Sequence, residues 1–387
     1  MNMSDKKLPL EGVTVLEFSQ FMAGPSAGLK LADLGARVIK IERPGSGEAG
    51  RKIAIKNLFI GPDSLVFHTI NRNKQSYGAN LKDPADLNKI KELIKQADVM
   101  THNFRPGVME KIGLDFGTVK QINPRIIYGD VLGYGDKGSW SKKPGQDLLI
   151  QSLSGITHLT GNKNDAPTPM GIAAVDIFTG GHLVQGILAS LINRQKTGVG
   201  SRVSVSLLES ALDMQFESLT AYLNNGNQSS DRAINGNANA LLGAPYGVYM
   251  TSDSHIAIAM KPITELKAAM EIDFPEQFMS KDSWFEKRDE IMALLQEVFL
   301  TKTTDEWIAQ LELKNIWCGP VYNYDQILNH EGFKVLKMDQ EVKTSDNEKV
   351  KTTRCPIRID RQRLYSRKSA PKVGEDNQII EKEFNLV

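Results

Sequence analysis

Residues 13–42 read VTVLEFSQFMAGPSAGLKLADLGARVIKIE and decide the fold class. The apolar run Val13–Phe18 predicts a strand, and the small residues of Ser19–Pro25 predict a turn. A helix follows and ends at Gly35, because glycine readily adopts the left-handed backbone that closes a helix. Arg37–Glu42 predicts a second strand. Since a strand, a helix and a strand follow one another directly, they form a βαβ unit whose strands run parallel.

The same alternation continues downstream. We predict a helix at Asp83–Ala97, a strand at Asp98–Asn103, a helical turn at Gly107–Ile112 and a strand at Arg125–Val131. Alternating strands and helices indicate an α/β protein with a Rossmann-like large domain. The turn after the first strand reads MAGPSAG rather than G-x-G-x-x-G, so a nicotinamide dinucleotide site gains little support. The chain also lacks Walker A and G-x-S-x-G motifs, which argues against kinases and hydrolases.

A segment rich in Asn, Gly and Ser separates this region from a smaller α+β region. Residues 224–239 read NNGNQSSDRAINGNAN, a composition typical of linkers and loops. Beyond it, Trp284–Phe299 has the amphipathic pattern of a helix. The predicted organisation is a large domain from residues 1–205 and 335–387, a linker at 206–228, a small domain at 229–320 and a return linker at 321–334.

The composition narrows the possible partners and the compartment. The 387 residues carry a formal net charge of +1, so no strong field draws the chain to nucleic acid or to a membrane. The two cysteines, Cys318 and Cys355, form no disulfide framework, and the first residues lack the apolar stretch of a signal peptide. We therefore expect a cytoplasmic protein. The scattered histidines and the absence of a C-x-x-C motif predict no metal site.

Asp176 lies near the start of an apolar segment, GIAAVDIFTGGHLVQGILASLI, at residues 171–192. The segment is as long as a membrane span, but it contains Thr179, His182 and Gln185 and has no second segment like it, so we predict a core helix. A carboxylate in such surroundings is costly unless it is hydrogen-bonded, paired or used chemically. Two interpretations remain open: Asp176 caps its helix, or it reacts.

Nine blocks follow one another along most of the chain: LEGVTVLEFSQFMAGPSAG, LADLGARVIKIERPGSGE, FHTINRNKQS, ADVMTHNFRPGVMEKIGLDF, NPRIIYGDVLGYGDKG, PGQDLLIQSLSG, MGIAAVDIFTGGH, KTGVGSRVSVSLLESAL and WCGPVYNYDQIL. As an ordered set they resemble the class III CoA-transferase family, which includes formyl-CoA transferase, the carnitine CoA-transferases and the α-methylacyl-CoA racemases. The resemblance implies a Rossmann-like large domain built from both chain ends, a smaller domain between them, and a homodimer of two interlaced, ring-like chains.

The resemblance also implies a reaction. Asp176 occupies the place of the family's catalytic aspartate, which attacks an acyl-CoA thioester and carries CoA to a free carboxylic acid through a mixed anhydride and an aspartyl-CoA thioester. The substrates are then an acyl-CoA donor and a carboxylic acid acceptor, with CoA as the transferred group and with no metal or redox cofactor. By position in the family blocks, the candidates for binding CoA and the acyl group are Gln20, Met22, Ala23, Arg43, Asn71, Lys74, Asn103, Arg105, Lys111 and Lys143.

Two departures from the family patterns keep alternatives open. Gln146 stands where the racemases have their histidine base, and a neutral amide cannot act as a general base, so transferase is favoured over racemase. Met22 stands where formyl-CoA transferase has a glutamine, so either Gln20 or the Ala23 amide replaces that donor, or the acyl group is more apolar. Met22 also keeps open a second class of function, a non-catalytic acyl-CoA-binding relative. The loop Asn235–Ala240 is either a counterpart of the family's mobile glycine-rich loop or a linker.

Overall fold

The computed structural model describes residues 7–386; residues 1–6 and 387, which belong to the predicted large domain, lie outside this range. The described residues divide into two compact units. Unit 1 comprises residues 7–150, Ala173–Met214 and 336–386, and unit 2 comprises Gln151–Ile172 and Gln215–Val335.

A six-stranded parallel sheet forms the centre of unit 1. Its strands are β1 (Thr14–Glu17), β2 (Arg37–Glu42), β3 (Gln75–Gly78), β4 (Val99–His102), β5 (Ile127–Leu132) and β6 (Arg202–Ser206). They lie in the order β3-β2-β1-β4-β5-β6, and every neighbouring pair is parallel. This is the strand order of doubly wound dinucleotide-binding folds, in which the order reverses between β1 and β4. The α/β fold class and the predicted parallel strands are therefore confirmed.

The helices, in chain order, are α1 (Ala23–Asp33), α2 (Leu65–Asn71), α3 (Pro84–Gln96), α4 (Val108–Ile112), α5 (Phe116–Ile122), α6 (Asp147–Ser154), α7 (Ile156–Leu159), α8 (Ala174–Thr197), α9 (Leu207–Met214), α10 (Phe216–Asn224), α11 (Ile263–Met270), α12 (Ser283–Glu286), α13 (Arg288–Phe299), α14 (Thr304–Leu313), α15 (Tyr324–Asn329), α16 (Glu331–Leu336) and α17 (Asn377–Glu383). Short 3-10 helices lie at Ala49–Lys52, Ile55–Asn57 and Glu276–Phe278.

The remaining strands form small antiparallel sheets. In unit 2, β7 (Gly247–Met250), β8 (His255–Ile258) and β9 (Cys318–Pro320) pair with β8 in the middle. In unit 1, β10 (Asp339–Lys343) pairs with β11 (Lys349–Thr353). Two further pairs have two-residue strands, Phe59–Ile60 with Asp63–Ser64 and Arg358–Ile359 with Gln362–Arg363.

Both ends of the chain contribute to the core of unit 1. Ile380 of α17 and Leu386 are buried in the same apolar cluster as Leu16 of β1 and Ile39 of β2. Unit 2 has its own core, in which the buried Trp307 donates a hydrogen bond from Nε1 to the Phe299 carbonyl. Each unit therefore buries enough apolar surface to form an independent core.

Three segments can be compared with what the sequence predicts for them. The predicted helix Trp284–Phe299 is divided between α12 and α13, because Lys287 (φ −109°, ψ 24°) leaves the helical conformation. Residues 206–228, the predicted linker, contain α9 and α10, and residues 151–172 lie in unit 2. The predicted domain limits stay a prediction.

Asn235–Ala240 is held within unit 2, where Asn237 Nδ2 donates to the Gly161 carbonyl and Arg288 donates to the Ala240 carbonyl.

The close approach of α1 and α8 depends on small residues. A Cβ at Gly180 of α8 would lie 2.0 Å from Ser26 Oγ and 2.7 Å from the Ala23 carbonyl oxygen, so only glycine fits there. Within the described residues, α8 is the one helix long and apolar enough to cross a membrane. Here it packs against α1, α9, β5 and β6 inside unit 1.

Gly180→Ala should lower the free energy of unfolding by about 2–3 kcal/mol, because its methyl group overlaps the first turn of α1. Gly181→Ala is the matched control. A Cβ there meets nothing within 4 Å, and alanine is the better helix former, so stability should be equal or higher by up to about 1 kcal/mol. Urea denaturation measures both changes. Equal stability of the two variants would show that α1 and α8 are not in this close contact.

Candidate active site

Asp176 is the third residue of α8 and is half-buried. The N-cap of α8 is Ala173, so the interpretation of Asp176 as the helix cap is wrong. Among residues 7–386, no group donates a hydrogen bond to the Asp176 carboxylate. Its position in the first turn leaves the carboxylate close to the positive end of the helix dipole and open to reaction.

Asp147, the first residue of α6, is the neighbour of Asp176 that the sequence analysis missed as a functional residue. The Asp176 backbone N–H donates to Asp147 Oδ2 over 3.0 Å, and Asp147 is buried. Burial, and then the Asp147 charge, raise the pKa of Asp176 to about 7. The available signal was an acidic residue at the start of the helix that follows the Gly-rich loop, beside the noted Gln146.

The N-terminus of α1 lies at the same edge of the sheet as Asp176. Both α1 and α8 connect to parallel strands and run opposite to them, so both helices begin at the carboxyl edge. Gly180 packs on the first turn of α1, and Asp176 lies one turn earlier on the same face of α8. We infer that the Asp176 carboxylate lies beside the turn that precedes α1.

The start of α1 offers two free backbone donors. Its N-cap residue, Met22, provides no side-chain cap, and the amides of Ala23 and Gly24 have no acceptor within residues 7–386. The positive end of α1 is therefore available to an anion. The backbone of Gln20 is fixed by Asn103, which accepts from the Gln20 N–H over 2.8 Å and donates to the Gln20 carbonyl over 2.7 Å.

A buried ionic cluster stabilises the turn between β1 and α1. Glu17, at the end of β1, accepts from Lys74 Nζ over 2.9 Å and from Lys40 Nζ over 3.1 Å, and all three side chains are fully buried. Lys40 also donates to the Ser19 carbonyl over 2.8 Å. Its Nζ lies 3.0 Å from Glu48 Oε1, while Glu48 Oε2 accepts from the Phe21 N–H over 2.8 Å.

The turn itself carries backbone strain. Phe21 has φ +64°, a left-handed conformation that bulky residues rarely adopt. Since the Glu48 carboxylate binds its N–H, the cluster stabilises the strained residue directly before Met22 and α1. Strain held by a surrounding network is common at functional sites.

Two residues predicted to bind CoA, Lys74 and Asn71, lie inside this cluster. Lys74 Nζ donates to Glu17, to the Pro25 carbonyl and to Asn71 Oδ1, each over 2.9 Å. Burial lowers the pKa of Lys74 to about 8, with Glu17 opposing the effect. Asn71 is also buried and donates to the Phe67 carbonyl. These contacts favour a structural role for both residues over phosphate binding.

The other cationic candidates are exposed near the carboxyl edge. Arg43 directly follows β2, Arg105 follows β4, Lys111 lies in α4, and Lys143 lies in the loop after β5 with its ammonium 5.4 Å from the centre of the Trp140 ring. Open α/β sheets bind ligands at this edge. Contact of these residues with CoA stays a prediction. Within residues 7–386, no cluster of three or more His, Cys, Asp or Glu side chains is placed to hold a metal ion.

Comparisons with known proteins show the family to which the chain belongs. The family described as CoA-transferase family III matches residues 10–377, so the chain belongs to that family. The succinyl-CoA:glutarate CoA-transferase of Homo sapiens is 31% identical, over 97% of this chain and 86% of the relative. The acetyl-CoA:oxalate CoA-transferase of Acetobacter aceti is 28% identical, over 98% of this chain and 96% of the relative. The resemblance stated from the sequence is thus confirmed, and the chain is a transferase of the acyl-CoA-dependent kind.

A solved structure shows the same fold. A CAIB/BAIF family protein from Brucella suis superimposes with a TM-score of 0.84 at 30% identity, covering 98% of this chain and 100% of that one. The mixed α/β architecture with a parallel central sheet is therefore the architecture of the family.

Lys74→Met should lower the free energy of unfolding by about 3–5 kcal/mol, because it leaves the buried Glu17 with only one of its two cations. The matched control is Lys111→Met, which removes an exposed lysine and should change stability by less than about 0.5 kcal/mol while weakening CoA binding. Urea denaturation and calorimetric titration with CoA measure the two effects. If Lys74→Met leaves stability unchanged and weakens CoA binding, Lys74 binds CoA and its structural role is wrong.

Proposed function

We propose that this chain moves CoA from an acyl-CoA donor to a free carboxylic acid through a mixed anhydride and an aspartyl-CoA thioester at Asp176. The observation that carries the proposal is the Asp176 carboxylate itself. It is half-buried, accepts no hydrogen bond within the described residues, and lies one helical turn from the contact with α1. A carboxylate that is neither capping nor paired is suited to act as a nucleophile.

In the first half-reaction, an Asp176 oxygen attacks the thioester carbonyl carbon of the donor, and the carbon–sulfur bond breaks to release CoA thiolate. The free amides of Ala23 and Gly24 are suited to stabilise the oxyanion of the tetrahedral intermediate. The thiolate then attacks the Asp176 acyl carbon and expels the donor acid as a carboxylate. Asp176 now carries CoA as a thioester.

In the second half-reaction, the acceptor carboxylate attacks the Asp176 thioester, which forms a second anhydride and releases the thiolate again. The thiolate attacks the acceptor acyl carbon, and the Asp176 carboxylate leaves. No proton, electron or water is consumed in the cycle. A pKa of about 7 makes the ionised Asp176 a more basic nucleophile than an ordinary aspartate.

The surrounding residues suit the two parts of the substrate. The exposed cations Arg43, Arg105, Lys111 and Lys143 match the charge of the CoA phosphates. Met22 gives the acyl side of the site an apolar wall, with Gln20 and Ala23 as polar neighbours. Because the human and Acetobacter aceti relatives are named for transfer to glutarate and oxalate, we propose a small dicarboxylic acid as the acceptor.

The racemase alternative receives no support from His182, the histidine nearest to Asp176 in the sequence. It requires a general base opposite the aspartate, and Gln146 cannot supply one. His182 of α8 is engaged elsewhere, with Nδ1 3.0 Å from Ser210 Oγ and Nε2 3.1 Å from Asp213 Oδ2.

The covalent mechanism predicts a trapped adduct. After incubation with succinyl-, acetyl- or formyl-CoA, intact mass spectrometry should show the aspartyl-CoA thioester in the wild type and in Asp282→Asn, an exposed control position. Asp176→Asn should show none and lose turnover, while Asp176→Ala should keep CoA affinity within about tenfold, or ~1.4 kcal/mol. An active Asp176→Asn protein would exclude the mechanism. CoA binding without any adduct would favour the non-catalytic, acyl-CoA-binding alternative.

We also propose that two chains form an interlaced homodimer in the cytoplasm. Large apolar side chains are exposed in both units, including Ile192 of α8 (59%) and Phe216 and Leu223 of α10 (68% and 64%). These exposed side chains are available to pack against a second chain. A second copy of the chain is the occupant that the family resemblance implies.

Interlaced chains cannot separate without unfolding, so sedimentation should give the mass of two chains, and this mass should persist on dilution to nanomolar concentration. Circular dichroism on the same samples reports whether the fold is kept. A mass that falls to one chain while the helical signal remains would contradict interlacing.

A further inference from the structure

Asp147 places a second carboxylate directly on the backbone of the proposed nucleophile. Its Oδ2 accepts the Asp176 N–H over 3.0 Å, its side chain is buried, and it lies 29 residues away in sequence at the start of α6. This contact fixes the first turn of α8, and it also brings two like charges together in surroundings that screen them poorly.

We propose that Asp147 is a positioning residue that holds Asp176 in place and, by its charge, favours the acylated, uncharged forms of Asp176 over the free carboxylate. The inference rests on the proposed function and extends it. In the free enzyme, the ionised Asp176 carboxylate is an anion beside the Asp147 carboxylate. As an anhydride or a thioester Asp176 is neutral, so the repulsion disappears when the covalent bond forms.

The balance of the first half-reaction shows where the charge goes. Enzyme carboxylate and acyl-CoA become the enzyme-bound CoA thioester and the free donor carboxylate. One negative charge therefore moves from Asp176 to an acid that can leave for water. The charge of Asp147 disfavours only the starting side of this equilibrium, and so it stabilises the covalent intermediate relative to the resting enzyme.

No other charged group provides this effect within the described residues. The elements packed against α8 carry these titratable groups: Lys30 and Asp33 on α1, Glu209 and Asp213 on α9, Tyr128 and Asp130 on β5, and Arg202 on β6. Asp33 pairs with Arg72, Asp213 with His182, and Asp130 with Arg202. Asp147 alone contributes a charge interaction to the raised pKa of Asp176, after burial as the larger cause.

Asp147→Asn tests the charge and keeps an oxygen that can accept the Asp176 N–H, whereas Asp147→Ala removes both. In the first readout, the Asp176 side chain is titrated by carbon-13 NMR without substrate and identified by its loss in Asp176→Asn. Asp147→Asn should lower the Asp176 pKa, because it removes the neighbouring negative charge. The second readout is the ratio of aspartyl-CoA thioester to free enzyme at fixed acyl-CoA and donor acid above pH 8. This ratio should fall tenfold for each unit by which the measured Asp176 pKa falls.

The outcomes separate this inference from the proposed function. An unchanged Asp176 pKa in Asp147→Asn overturns the inference, whatever the activity. A lowered pKa with an unchanged thioester ratio overturns it as well and leaves the covalent mechanism standing. Absence of the thioester in the wild type overturns both. A lowered pKa in Asp147→Asn, together with a loss of thioester by the factor that this pKa change predicts, supports the inference.

Discussion

The candidate site depends on a buried carboxylate shared by two lysines. Glu17 ends the first strand with no contact to water, and the ammonium groups of Lys40 and Lys74 compensate its charge. The helix backbone of α1 lies directly on this carboxylate, because a Cβ at Gly28 would come within 1.7 Å of Glu17 Oε2. A buried charge is tolerated only where such partners surround it, so the cluster fixes both the turn and the start of α1.

The second constraint is the contact between α1 and α8, because this contact fixes the position of Asp176 relative to the turn that precedes α1. Glycine at position 180 allows the two helix backbones to approach, and Asp176 lies one turn earlier on the same face of α8. The carboxylate is held by its helix and by Asp147 instead of by hydrogen bonds to its own oxygens. Keeping an acidic side chain in a place that raises its pKa to about 7 reduces stability, and groups of this kind concentrate at functional sites.

The sheet topology explains why this site uses the edge that nucleotide-binding folds use while lacking their fingerprint. The strand order reverses between β1 and β4, which leaves a crevice at their carboxyl ends. Here the turn after β1 carries Phe21 and Met22 in place of a glycine-rich phosphate loop. In the proposed mechanism, the same backbone architecture presents helix amides to an acyl group, and the nucleophile is Asp176 on a different helix.

Local pattern was sufficient for much of this protein. The alternation of apolar runs, the small-residue turn and Gly35 predicted the βαβ unit, and an ordered set of blocks identified the family and singled out Asp176. These features are readable because strands, turns and helix ends depend on residues that are neighbours in the chain. The tertiary structure alone decided that Lys74 is buried on Glu17, 57 residues away, and that Asp147 contacts Asp176, 29 residues away. Neither pairing has a sequence signature, because which polar groups meet in an interior depends on how whole elements pack.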